Sequence, residues 1–288
     1  MTMLAGTVLV LASATSAMAQ GKSQQHKKNP APPSRNDLAA PSSVSMPATA
    51  VAGPTPFAWV DDASLLEAGS VSIALSVARW QGSGISEVDV PVIDASIGLA
   101  PRVHLTMSVP RVVGSEDPLG AVGGMGTSYF SAKISALNDA KRGLKLSVAP
   151  TLEVLGSGVL QSTTAGERRA HFGLPVSVEL DRGPARLYAG GGYFTRGVWF
   201  TGAGVGTRLN DKLFVSGGFS RSWRGSDVPD VPLSDRDRKE ITGSASYTVT
   251  PQVSVYGALG RTIATLDENG AGTSLVGGVS FFFAPPRK

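Results

Sequence analysis

The stretch "RVHLTMSVP", residues 102–110, sets the reading of the whole chain. Val103, Leu105, Met107 and Val109 alternate with Arg102, His104, Thr106 and Ser108. Strict alternation marks an extended strand with one apolar and one polar face. The figure recurs on both sides. Phe130, Ala132, Ile134 and Ala136 stand against Tyr129, Ser131, Lys133 and Ser135. Leu144, Leu146, Val148, Pro150, Leu152 and Val154 face Lys145, Ser147, Thr151 and Glu153, and Phe172, Leu174, Val176, Val178 and Leu180 follow with His171, Gly173, Ser177 and Glu179 between them. Later copies include Leu213, Val215 and Phe219, then Ile241, Ala245, Tyr247 and Val249, then Val253, Val255 and Leu259. There are about twelve such segments of about ten to thirteen residues, the length a tilted strand needs to cross a bilayer and long for a soluble sheet.

The connections alternate too. Short turns read at "LAPRV" (99–103), "NDAKRG" (138–143), "DRGPA" (181–185), "LNDKL" (209–213) and "TPQ" (250–252). Between them lie longer polar joins: "QGSGISE", "VVGSEDPLGAVGGMG", "GSGVLQSTTAGERRA", "RGSDVPDVPLSDRDRKE" and "TLDENGAG". Only "TRG" (195–197) breaks the rule. Short turns at one end and long loops at the other describe an outer-membrane barrel. A soluble sandwich or lipocalin-like barrel is the competing structure. The polar face speaks against it: Ser70, Ser72, Ala74 and Ser76, or Thr242, Ser244, Ser246 and Thr248, where a soluble surface carries Lys and Glu. Aromatic residues near strand ends predict two interfacial girdles, Trp80, Tyr193, Phe194, Trp199 and Phe200 outside and Phe214, Phe219, Tyr247, Phe281 and Phe283 inside. The expected fold class is therefore all-β, an antiparallel transmembrane β-barrel of about twelve strands.

Composition narrows the chemistry. The chain has no cysteine, which removes disulfides, thiol nucleophiles and Cys-based zinc sites. Its net charge of +4 sits mostly in residues 20–56, where Lys22, Lys27, Lys28 and Arg35 face only Asp37. The rest is close to neutral, with no basic stripe to follow a nucleic acid. Residues 1–19 hold an apolar core from Met3 to Ala12 and end in Ala17-Met18-Ala19, the pattern of a secretory signal peptide, although the n-region lacks Lys or Arg. Residues 20–56 are rich in Pro, Ser and Ala and predict a disordered periplasmic tether, leaving 57–288 for the barrel.

Carrying the alternation inward gives the candidate lumen-lining residues Asp94, Arg102, His104, Lys133, Lys145, Glu153, His171, Glu179, Arg186 and Arg208. A mildly basic lumen favours anions such as aromatic carboxylates; the plainer role is cross-wall pairing that stiffens the barrel. A histidine beside a serine could serve an outer-membrane hydrolase, but serine is too common here to single one out. An autotransporter-like barrel would want a passenger domain upstream. The glycines of "GGGYF" (190–194) and "GAGVG" (202–206) do not lie between a strand and a helix, so they are expected to leave lumen space or let strands bend rather than hold phosphate. "DRDRKE" (235–240) reads as a solvated loop that could touch lipopolysaccharide or a divalent ion.

The stretch "EAGSVSIALSVARW…DVPVIDASIGLAPRVHLTMSVPRVVG" resembles the outer-membrane proteins grouped as the meta-pathway phenol degradation (transporter) family, through Gly69 before the first strand, Gly98-Leu99 before the first tight turn and Val109-Pro110. That resemblance implies a pore for hydrophobic or aromatic compounds. The expectation is then an outer-membrane channel for a small-molecule solute with no enzyme activity and no cofactor, in contact with lipid and lipopolysaccharide. At the C-terminal end, Gly278, Phe281 and Phe283 resemble the signal read by the barrel assembly machinery, with Val276 where a polar residue is preferred. This last strand is expected to pair with the first near Val71 to Val77, removing both sheet edges.

Overall fold

Val71, Ile73, Leu75 and Val77 alternate with serine and alanine and so start the first of twelve wall strands. In chain order these are β1 (Val71–Gly82), β2 (Ile85–Ala100), β3 (Val103–Glu116), β4 (Ser128–Asp139), β5 (Leu144–Val148 continued by Thr151–Val154), β6 (Ala170–Gly173 continued by Val176–Arg182), β7 (Ala185–Phe194), β8 (Val198–Arg208), β9 (Leu213–Arg224), β10 (Asp237–Thr250), β11 (Val253–Thr265) and β12 (Thr273–Phe283). A two-residue strand, Gly124–Met125, lies against Arg111 and Val112. This computed structural model describes residues 61–82, 85–116, 123–156, 169–195, 197–224, 237–265 and 272–285. The signal peptide (1–19) and tether (20–56) expected from sequence lie outside the described residues, as do most of the long joins.

Each strand pairs antiparallel with the next, and β12 pairs antiparallel with β1, Val71 opposite Phe283 and Gln81 opposite Thr273. The sheet closes on itself. Burial runs opposite to that of a soluble protein: Leu75, Leu105, Phe172, Leu187, Ile241, Leu259 and Leu275 turn outward, Phe172 at 65% and Leu275 at 57% of full exposure. Ser76, Ser108, Ser147, Thr151, Ser177, Ser246 and Ser280 are buried inside. Water against that outer belt costs roughly 25 cal/mol per Å², whereas hydrocarbon covers it freely.

Two strands expected to be continuous are broken. Pro150 interrupts β5 and Pro175 interrupts β6, because proline has no N–H to give to the ladder. The wall holds at these points through their carbonyls: Ala132 N–H donates to Pro150 O (3.0 Å) and Ala149 N–H to Pro175 O (2.9 Å). Several strands also outrun the expected length, β2 at 16 residues and β3 and β10 at 14. At the tight-turn end, Gly143 and Gly183 take φ of +63° and +70°, the left-handed region in which glycine carries no Cβ penalty.

The girdle assignment needs correction. Tyr193, Trp199, Phe219, Tyr247, Phe281 and Phe283 share the outward face, but Trp80, Phe194, Phe200 and Phe214 point inward. Each inward ring lies over a glycine on a neighbouring strand or beside it: Trp80 over Gly272, Phe194 over Gly173, Phe200 over Gly192, Phe214 over Gly206, with Tyr188 over Gly204 and Tyr256 over Gly278. Within 190–194 and 202–206, Gly192, Gly204 and Gly206 thus work as seats for aromatic rings, the arrangement by which a ring covers a bare strand backbone.

Candidate functional site

Ahead of β1 the chain neither joins the wall nor leaves it. Asp61 to Glu67 has no strand structure, and Asp62, Ala63 and Ser64 are buried. Ser64 N–H donates to Asp62 Oδ1 (3.0 Å), a local turn that suits Asp because its short carboxylate reaches the amide two residues on. The segment then passes over Gly98, where any β-carbon would meet Glu67 O at 2.0 Å and Leu66 O at 2.9 Å. A turn at Gly69 (φ +85°), with Ser70 N–H donating to Glu67 O (2.9 Å), delivers it to β1. The Gly69 and Gly98 of the sequence resemblance thus both shape this segment.

Its partners project from β3 to β7, within a few residues of the tight turns. Leu66 N–H donates to His104 Nδ1 (3.0 Å), which places the imidazole proton on Nε2. Lys133 Nζ donates to Asp62 O (2.9 Å), pairs with the Asp61 carboxylate and stands 3.9 Å from Asp62 Oδ1. Arg186 Nη1 lies 3.3 Å from Asp62 Oδ2, and its Nε lies 3.6 Å from Glu179 Oε1. Ser64 Oγ donates to Glu179 Oε2 (2.7 Å), while Lys145 Nζ donates to both Ser64 Oγ and Glu179 Oε1 at 2.9 Å. Three cations therefore face three carboxylates, and two of those carboxylates belong to the segment. Burial pushes the Asp62 carboxyl up to about 6; Lys133 and Arg186 pull against that shift, and the neighbouring charges of Asp61 and Glu179 add to it.

Of the lumen candidates, His104, Lys133, Lys145, Glu179 and Arg186 gather here. Glu153 and His171 face each other across β5 and β6, away from this cluster, and Tyr129 Oη donates to Glu153 Oε1 (3.0 Å). Asp94 faces Ser108 across β2 and β3. Arg102, in the turn after β2, and Arg208, the last residue of β8, are exposed and stand apart from these groups. Sequence reasoning missed Asp61, Asp62 and Ser64. The available signal was two carboxylates and a hydroxyl shortly ahead of the first strand, matching the inward cations Lys133, Lys145 and Arg186.

No family model and no curated protein sequence matches the chain. Solved structures do. The COG4313 outer membrane channel from Pseudomonas putida F1 is similar over 77% of this chain and 98% of its own, at TM-score 0.59 and 16% identity. The NanC porin is similar over 73% and 98%, at TM-score 0.55 and 12% identity, and the KdgM porin over 73% and 99%, at TM-score 0.50 and 10% identity. At such identities the likeness is one of fold: the chain has the closed twelve-stranded antiparallel barrel of outer-membrane channels.

Proposed function

We propose that the protein is an outer-membrane channel for small solutes, favouring small acids, aromatic ones included. The observation that carries this reading is the convergence of Lys133, Lys145 and Arg186 on one level of the lumen, where the wall itself supplies only Glu179 as counter-charge and the other two carboxylates, Asp61 and Asp62, belong to the segment ahead of β1. Inward rings such as Tyr188 and Phe214, seated over Gly204 and Gly206, would give aromatic solutes a surface to slide along. The resemblance to the meta-pathway phenol family points the same way. At His104, one of the two histidines a hydrolase would draw on, Nδ1 accepts from the Leu66 amide rather than from a serine.

In this reading residues 1–19 direct export, 20–56 stay in the periplasm, and the long loops meet lipopolysaccharide. Gly278, Phe281 and Phe283 would then address the chain to the barrel assembly machinery. The test is electrical. Refolded protein in planar bilayers under a potassium chloride gradient should give a reversal potential of anion-selective sign, and proteoliposomes should swell in benzoate faster than in a neutral sugar of similar size. Absence of conductance and swelling, with or without residues 20–56, would sink the channel; cation selectivity would sink the preference for acids.

A further inference from the structure

We infer that Asp61–Leu66 is a displaceable internal ligand, and that the site it fills binds small dicarboxylates. The inference rests on the channel reading for its biological use but not for its chemistry. The segment is held by side-chain polar contacts rather than by a strand ladder: its hydrogen bonds reach Lys133, Lys145, Glu179, Arg186 and His104, each from a different strand. Its fully buried residues, Asp62, Ala63 and Ser64, are small or polar, and its two leucines, Leu65 and Leu66, are only half-buried. Contacts of this kind exchange readily for equivalent contacts with a solute of the same chemistry.

The charge count names that chemistry. With the segment docked, Lys133, Lys145 and Arg186 are balanced by Asp61, Asp62 and Glu179. With the segment gone, three cations face Glu179 alone, a surplus of two positive charges in a confined space. A molecule carrying two carboxylates a few bonds apart restores the balance and reproduces what the segment presents, one carboxylate on Lys133 and a second on Arg186. A monocarboxylate leaves one charge over. Docked segment and bound solute use the same cations, so each weakens the other by simple competition.

The chain has no cysteine, so one thiol can report the segment's position. Ala63 is 1% exposed, and Ala63→Cys in the full-length refolded protein should react slowly with a charged maleimide, while Glu67→Cys, on the exposed side of the same segment, sets the unhindered rate. Succinate should raise the Ala63→Cys rate at least ten-fold over sodium chloride of equal ionic strength, and Asp61→Asn, which removes the carboxylate paired with Lys133, should raise it without succinate. Retained heat-modifiable gel mobility shows that each variant still forms the barrel. An Ala63→Cys rate unmoved by succinate and by Asp61→Asn overturns the inference, and acetate acting as strongly as succinate overturns the dicarboxylate class. Failure of the channel reading looks different: the thiol responds, yet no variant conducts.

Discussion

Replacing Gly173 by alanine should destabilise the barrel through a single ring. A β-carbon there would lie 2.3, 2.6 and 2.7 Å from Cε1, Cδ1 and Cζ of Phe194. Carbon contacts settle near 3.5–4.0 Å, so the ring must retreat by about 1 Å. Space behind it is taken: the Tyr129 ring stands edge-on at 6.3 Å between centroids and the Phe200 ring at 5.9 Å, and Phe194 is only 2% exposed. Overpacking of this kind costs about 1–3 kcal/mol. At a urea dependence of about 1–3 kcal/mol per molar, the unfolding midpoint falls by on the order of 1 M. Urea titration in detergent, followed by gel mobility and intrinsic fluorescence, reads this directly. Phe194→Leu removes the outer ring carbons, so the double variant should recover about 1 kcal/mol or more relative to the sum of the singles. Gly183→Ala supplies the contrast: nothing lies within 4 Å of its β-carbon, but φ is +70°, so it should cost about 1–2 kcal/mol from the backbone alone and gain nothing from Phe194→Leu. Additivity of Gly173→Ala and Phe194→Leu within about 0.5 kcal/mol would refute the ring-on-glycine account.

Gly98→Ala drives a β-carbon into Glu67 O and should lift the Asp61–Leu66 segment, speeding Ala63→Cys labelling while gel mobility stays that of a closed barrel; an unchanged rate would mean the segment does not lean on Gly98. Acidification should tighten docking. The Asp62 carboxyl rises from 3.8 to about 6 among Lys133, Asp61, Glu179 and Arg186, with Lys145 and His104 close by, so the stabilisation from its proton is complete below about 3.8 and lost as pH rises through about 6. Between pH 7 and pH 5, Ala63→Cys labelling normalised to Glu67→Cys should slow, and Asp62→Asn should abolish that slope; a slope kept in Asp62→Asn assigns it elsewhere. Phe283→Ser should impair assembly into the outer membrane, measured by fractionation, more than removal of residues 284–288 does; the reverse order would give the Phe281–Phe283 run another role.

Much of the wall was legible because it obeys a local rule. Period-2 alternation at 102–110 marks β3 with no knowledge of its neighbours, and the five tight turns follow from Gly, Pro, Asn and Asp at the ends of such runs. Inward charges such as Lys145 and Glu179 followed from the same alternation. Failures came where facing depends on a partner far away in sequence. Phe194 continues the inward face of β7, but an aromatic residue near a strand end fits a girdle equally well until the register sets Gly173 beneath it. Pro150 and Pro175 fitted the alternation and so hid the breaks they cause. Asp61–Glu67 has no period at all, and its meaning lies in residues that only barrel closure brings near.

That last dependence orders the folding of the chain. Apart from His104, 38 residues on from Leu66, the segment's long-range hydrogen-bond partners lie 71 to 124 residues downstream at Lys133, Lys145, Glu179 and Arg186, yet it is tied directly to β1, the strand that must find β12 to complete the wall. Contacts of such long sequence separation form late. The ring of charges that receives the segment is complete only when β3 to β7 stand side by side, so docking follows wall formation and cannot guide it. A protected thiol at position 63 therefore certifies a finished barrel, and the same six charges serve as the molecule's own inspection stamp.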